Sequence, residues 1–250
     1  MSRTCWLLLA ACALAPLRPA LALGLDSVRV GSGVLRGARL AAGHDTVDAW
    51  RIADGVRTPT STTIRSVTLR TDGPEPRFEI RTLHWAPQGD TSVTRVTLRA
   101  RDLALVQHSV RAAHDSAAVT VADTHLSGWV VLPNRPVRLL DHTLAHPVFP
   151  VEGQIPWLMP LLPLAPGYRA TVAHYSPWEG REVWSTIEVT GAERVEVHGR
   201  GFDCWRVDAG PLGPPGYRMT RWVDRGSRRV VLSVLRGAEG LPEFWGHRRP

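Results

Sequence analysis

Polar and apolar residues alternate along most of the chain with a period of two, which is the period of strands. Thr62-Thr63-Ile64-Arg65-Ser66-Val67-Thr68-Leu69-Arg70 is rich in β-branched residues and ends at the turn signal Asp72-Gly73-Pro74. Phe78–Leu83, Val93–Arg99, Val106–Val110 and Val119–Val121 continue the series. After residue 167 the alternation returns in Tyr168–Tyr175, Val183–Thr190, Val195–Val197, Phe202–Asp208, Tyr217–Val223 and Arg229–Leu235. Regular turn signals separate these runs and no helical period intervenes, which argues against a parallel α/β fold. The expected fold is mainly β: one antiparallel, strongly curved sheet, an open or half β-barrel, with a short helical or loop cover. Residues 23–250 read as a single β-rich domain whose first part, 23–56, looks irregular. The Gly199-Arg200-Gly201 signal suggests a three-residue loop that would set Val195 opposite Trp205.

One segment departs from the pattern. Ile155–Gly167 is the most apolar stretch after residue 22, and prolines at 156, 160, 163 and 166 break it. Such spacing forbids a long helix and a central strand. A short helical turn around Trp157–Leu162, or a packed loop, fits, and it would cover the open side of a curved sheet.

Residues 1–22 have the order of a secretory signal peptide. Arg3 supplies the positive start, Cys5–Leu17 the apolar run, and Ala20-Leu21-Ala22 a cleavage site. The run is too short for a membrane span, which needs about 20 apolar residues. Leu9-Ala10-Ala11-Cys12 also has the form of a bacterial lipobox, with Cys12 as the anchor, although the apolar run before it is short. Either reading places the protein outside the cytoplasm, in the periplasm or cell envelope. Cleavage after Ala22 leaves Cys204 as the one cysteine, so an internal disulfide is excluded.

The chain has no lysine: all 30 basic residues are arginines, against 23 acids. That excludes Schiff-base chemistry and lysine-dependent phosphate loops. The arginines are scattered and interleaved with Asp and Glu, which reads as composition bias and not as a nucleic-acid surface.

Reactive constellations are scarce. His142 and His146 are four apart, but Pro147 disfavours helix there and no H-E-x-x-H pattern exists, so no metal site is expected. Cys204 sits inside a strand pattern and reads as buried and inert. No G-x-S-x-G elbow or dinucleotide fingerprint occurs, and no catalytic residue or cofactor is assigned. Tryptophan, with ten residues, is the compositional signal. Tryptophans either fill a β core or line a cavity for an apolar ligand. Trp184 lies on the opposite strand face from Val183, Ile187 and Val189. The candidate ligand-binding residues are therefore Trp157, Leu158, Met159, Leu161, Leu162 and Trp184.

The C-terminal part carries a resemblance. Asp141-His142-Thr143-Leu144, Pro147-Val148-Phe149 and Leu161–Ala170 form one block. Val189–Glu193 with Gly201–Val207, and Arg221–Asp224 with Arg228–Val231, form the others. Over residues 140–237 these resemble a family of exported bacterial proteins built on a domain of unknown function, similar at a distance to the half-barrels that carry lipoproteins between bacterial membranes. The resemblance implies a curved sheet with an apolar interior and offers no catalytic residues. Three readings follow: an exported, non-enzymatic envelope protein holding a hydrophobic or amphipathic, lipid-like ligand; a structural envelope protein with a self-filled core, partnered by other envelope proteins; and a hydrolase with an unrecognised site.

Overall fold

A computed structural model describes residues 26–35, 40–150, 158–211, 217–237 and 243–250. The proposed signal peptide and lipobox, and Trp157, lie outside these residues. The first strands are β1 (Asp26–Val28), β2 (Gly43–Ala53), β3 (Val56–Arg70), β4 (Arg77–Trp85) and β5 (Thr91–Arg99). They are followed by β6 (Leu105–Arg111), β7 (Ser116–Ala122), β8 (His125–Val131) and β9 (Arg138–Thr143). After a 3-10 turn at Met159–Leu161 come β10 (Arg169–Ser176), β11 (Arg181–Val197), β12 (Arg200–Pro211), β13 (Tyr217–Asp224), β14 (Val230–Gly237) and β15 (Glu243–Arg248).

All fifteen strands join one sheet, in the order β1-β10-β11-β12-β13-β14-β15-β2-β3-β4-β5-β6-β7-β8-β9. The chain meanders from β2 out to one edge at β9. It then crosses to the other edge at β10 and meanders back until β15 pairs antiparallel with β2. Among the described residues only β1, beside β10, pairs as a parallel strand. This is the open, strongly curved antiparallel sheet that the alternation predicts.

The stretch 23–56 is not irregular throughout. Residues 43–53 form β2, and β3 begins at Val56. Asp54 and Gly55 both have positive φ (51° and 75°), the two-residue turn that matches the twist of a hairpin. The bulge in this ladder falls in β3, where Thr60 is the extra residue between Pro59 and Ser61, and the polar run Gly43–Thr46 is what hides β2 in the sequence. The three-residue loop at Gly199 is also corrected. His198 and Gly199 have φ of 52° and 72° and form the turn themselves, so Val195 pairs with Phe202 and Val197 with Arg200.

The core sits on the concave face. One cross-strand row runs Val67, Ile80, Val96, His108, Val119, Gly128 and Leu140, one residue from each of β3 to β9. Phe78, Leu98, Leu126 and Val130 pack beside it, and from the other arm come Ala170, Val172, Ile187, Val189, Val207 and Val223. The ends of the sheet overlap without a shared ladder. Inward-facing residues of β9 reach the outside of β10 and its turn: the rings of His142 and Tyr175 lie 5.7 Å apart, and Arg138 donates to the carbonyls of Pro177 and Trp178 at 2.7 and 2.6 Å. Phe149, fully buried in the crossover, plugs this seam. Its carbonyl accepts from the Tyr175 N–H, and the Val148 carbonyl accepts from Leu105.

His108 is 1% exposed and its Nε2 has no hydrogen-bond partner. Burial pushes its pKa down to about 4. The folded value is below the unfolded value of about 6.5, so the neutral ring is the form that fits the fold. Its contribution is fully present above about pH 6.5 and is lost as pH falls towards 4. The loss is on the order of 3 kcal/mol. Urea unfolding at pH 7 and pH 4 should show this difference, and His108→Leu should reduce it; an equal pH dependence in both proteins would contradict the assignment.

A second, smaller core lies on the convex face. Cys204, Trp222, Val231 and Val234 are buried there, flanked by Val195, Phe202, Leu232 and Trp245. The long β11–β12 hairpin arches over this face. Glu193 accepts from the Trp222 indole N–H at 2.7 Å, and His198 at the tip stacks near His247 of β15 at 4.1 Å. Cys204 is completely buried, and burial, with Asp224, Asp203 and Glu193 nearby, pushes its thiol up to about 12. The native protein should therefore react with a thiol reagent at pH 8 only on unfolding; rapid native labelling would contradict this placement.

Candidate functional site

A cavity of about 490 Å³ opens at one end of the concave face. Its floor is the start of β2 (Gly43, His44, Asp45) and the middle of β3 (Arg65, Val67). Pro160 and Leu161 of the 3-10 turn form one wall, Ser227 to Val230 of the β13–β14 turn another, and Leu40 and Ala41 the rim. The volume falls within the roughly 300–1,000 Å³ usual for small-molecule sites.

Local sequence explains how the cover holds its place. Pro160 stands within the 3-10 turn, and Leu158, Met159, Leu161 and Leu162 bury their side chains in the main core. The turn leaves free carbonyls at its end, and Arg228 answers them. Its guanidinium donates to the carbonyls of Pro160, at 3.3 Å, and Leu162. Arg228 itself has positive φ, 59°, in a turn closed by its N–H to Asp224 O at 2.9 Å.

The lining divides by chemistry. Leu40, Val67, Leu161 and Val230 form an apolar part, while Arg65, Arg228 and Arg229 provide cations. Among the described residues Asp45 is the one carboxylate in the lining, paired across the ladder with Arg65 and 4.0 Å from its guanidinium. Arg65 is largely buried, and that burial lowers its pKa, with Asp45 opposing. Arg248, on β15 between these elements, is lowered by burial first and then by Arg229, again opposed by Asp45. The Nε groups of both Arg65 and Arg248 are buried without a hydrogen-bond partner. Ser227 and His44 also line the cavity, but the Ser227 hydroxyl donates to Asp224 at 2.6 Å, so no serine–histidine pair forms there. Among the described residues no group of three His, Cys, Asp or Glu side chains could hold a metal ion.

Of the six residues expected to bind a ligand, Leu161 lines this cavity. Leu158, Met159 and Leu162 complete the core beneath it. Trp184 faces away from the core, as its strand position predicts, and lies under the Arg29 guanidinium at 4.6 Å. The structure does not bring Trp184 to the cavity. The arginines were the residues that sequence reasoning missed. Arg65, Arg228, Arg229 and Arg248 come from three parts of the chain, and their convergence has no local signal.

Fold and site together define a β-barrel-like protein with an open sheet and a mixed, arginine-lined cavity. The structure resembles a β-barrel-like protein of the domain of unknown function DUF1849 from Brucella abortus, with a TM-score of 0.52 at 10% identity over 83% of this chain and 96% of that one. This bears out the resemblance read from residues 140–237 at the level of the fold. The hypothetical lipoprotein YmcC from Escherichia coli also aligns, over 85% of this chain and 87% of that one, at 14% identity and a TM-score of 0.34, below the level at which two folds correspond. No family model matches the sequence. No curated protein matches it either. Among the described residues no helix is long and apolar enough to cross a membrane.

Proposed function

We propose that the protein is exported to the cell envelope and there binds an amphipathic, lipid-like ligand without transforming it. The cavity carries this reading: it is concave, of ligand size, and lined by both apolar and cationic side chains. Export rests on the signal-peptide pattern of residues 1–22. The self-filled core is the better description of Leu158, Met159 and Leu162, which have no surface left to offer a ligand. Ligand contact falls instead to Val67, Pro160 and Val230, with Leu40 at the rim and the buried Leu161 behind them.

The test uses N-phenyl-1-naphthylamine, a neutral apolar fluorophore. Titration into the intact protein should give saturable enhancement with one site per chain. Ala41 is exposed at the rim, so Ala41→Trp should obstruct the mouth without disturbing the core and weaken binding about tenfold, or about 1.4 kcal/mol. Enhancement that fails to saturate, or is the same in the variant, would contradict the proposal.

A further inference from the structure

We infer that the cavity selects ligands with an anionic head group, a carboxylate or a phosphate monoester, held by Arg65 and Arg229 with Arg248 behind them. The inference rests on the amphiphile-binding reading above and specifies the class of ligand. Among the described residues three arginines and one carboxylate line the cavity, with Arg248 close enough to feel Arg229 and Asp45, although the chain as a whole intersperses its charges. Arg228 is engaged with the cover's carbonyls, and Arg65 reaches Asp45 only at 4.0 Å. The Arg65 side chain keeps 16% of its surface exposed and Arg229 is exposed at the rim, so both offer guanidinium nitrogens to a head group, while the Nε groups of Arg65 and Arg248 stand buried behind the lining without an acceptor. A guanidinium is suited to oxyanions because its planar donors match two oxygens at once. Burial also removes the water that would otherwise screen the attraction. The apolar residues Leu40, Val67, Leu161 and Val230 lie in the same cavity, so head and tail would be accommodated together.

Competition against bound N-phenyl-1-naphthylamine tests this with three compounds of one chain length: dodecanoate, dodecyl phosphate and dodecanol. The two anions should displace the probe at concentrations at least about tenfold below dodecanol, as expected for charge-assisted hydrogen bonds. The ranking of the two anions distinguishes a carboxylate from a phosphate site. Arg229 is exposed at the rim, so Arg229→Gln should fold normally. It should reduce the preference for anions severalfold and leave dodecanol unchanged. Equal displacement by all three compounds would overturn the head-group inference and leave amphiphile binding intact. Displacement by none of them would overturn amphiphile binding. In that case a thermal shift with inorganic phosphate, lost in Arg229→Gln, would still support the anion site, and no shift would overturn that as well.

Discussion

Gly128→Ala is expected to cost about 3 kcal/mol or more and to reduce the yield of folded protein sharply. Gly128 belongs to the concave row of β8, between Val119 and Leu140. A Cβ built there would lie 2.1 Å from the Ala118 carbonyl oxygen and 2.8 Å from the Val119 Cα. Both are backbone atoms of the paired strand β7, so no side-chain rotation relieves the clash. The strands must separate, and their ladder and the row of core side chains separate with them. Gly191→Ala is the control: it also lies in a strand, and its added methyl group meets nothing within 4 Å. Urea midpoints should differ widely between the two variants. A Gly128→Ala protein as stable as wild type would contradict the close approach of β7 and β8.

Phe149→Ala should cost about 3–5 kcal/mol, the usual range for removing a buried phenyl ring. The ring is fully buried in the crossover, and the segment's backbone bridges the two arms through Tyr175 and Leu105. Those arms share no ladder at β9 and β10, so the seam depends on side chains such as Phe149, Tyr175 and Leu140. The comparison is Leu139→Ala, on the edge strand β9 beside the seam but 78% exposed, which should change stability by less than about 0.5 kcal/mol. Thermal unfolding of both variants decides the matter; similar small losses would show that the seam is not packed as described.

The strands with clean alternation were legible in the sequence. Val93–Arg99 and Tyr168–Tyr175 match β5 and β10 within two residues. Strands were missed where a local feature interrupts the pattern: the polar start Gly43–Thr46 of β2, Gly128 in β8, and Gly246 in the short β15. The cover was legible because four prolines in an apolar segment leave few alternatives. Its role was legible only in part, since apolarity does not distinguish Leu158, which fills the core, from Leu161, which also meets the cavity. The arginine cluster could not be read at all. Arg65 looks like an ordinary strand residue, and Arg228 and Arg229 like a basic turn. They meet because β15 brings the end of the chain alongside β2, a junction between distant segments that sequence spacing does not encode.

Native mass spectrometry of the full chain purified from cell envelopes in a non-denaturing, detergent-free buffer tests the central claim most directly. The account predicts a population carrying one noncovalent adduct of lipid mass, released by organic extraction and reduced in Ala41→Trp prepared in the same way. A spectrum showing only the bare chain, with no lipid recovered in the extract, would contradict it.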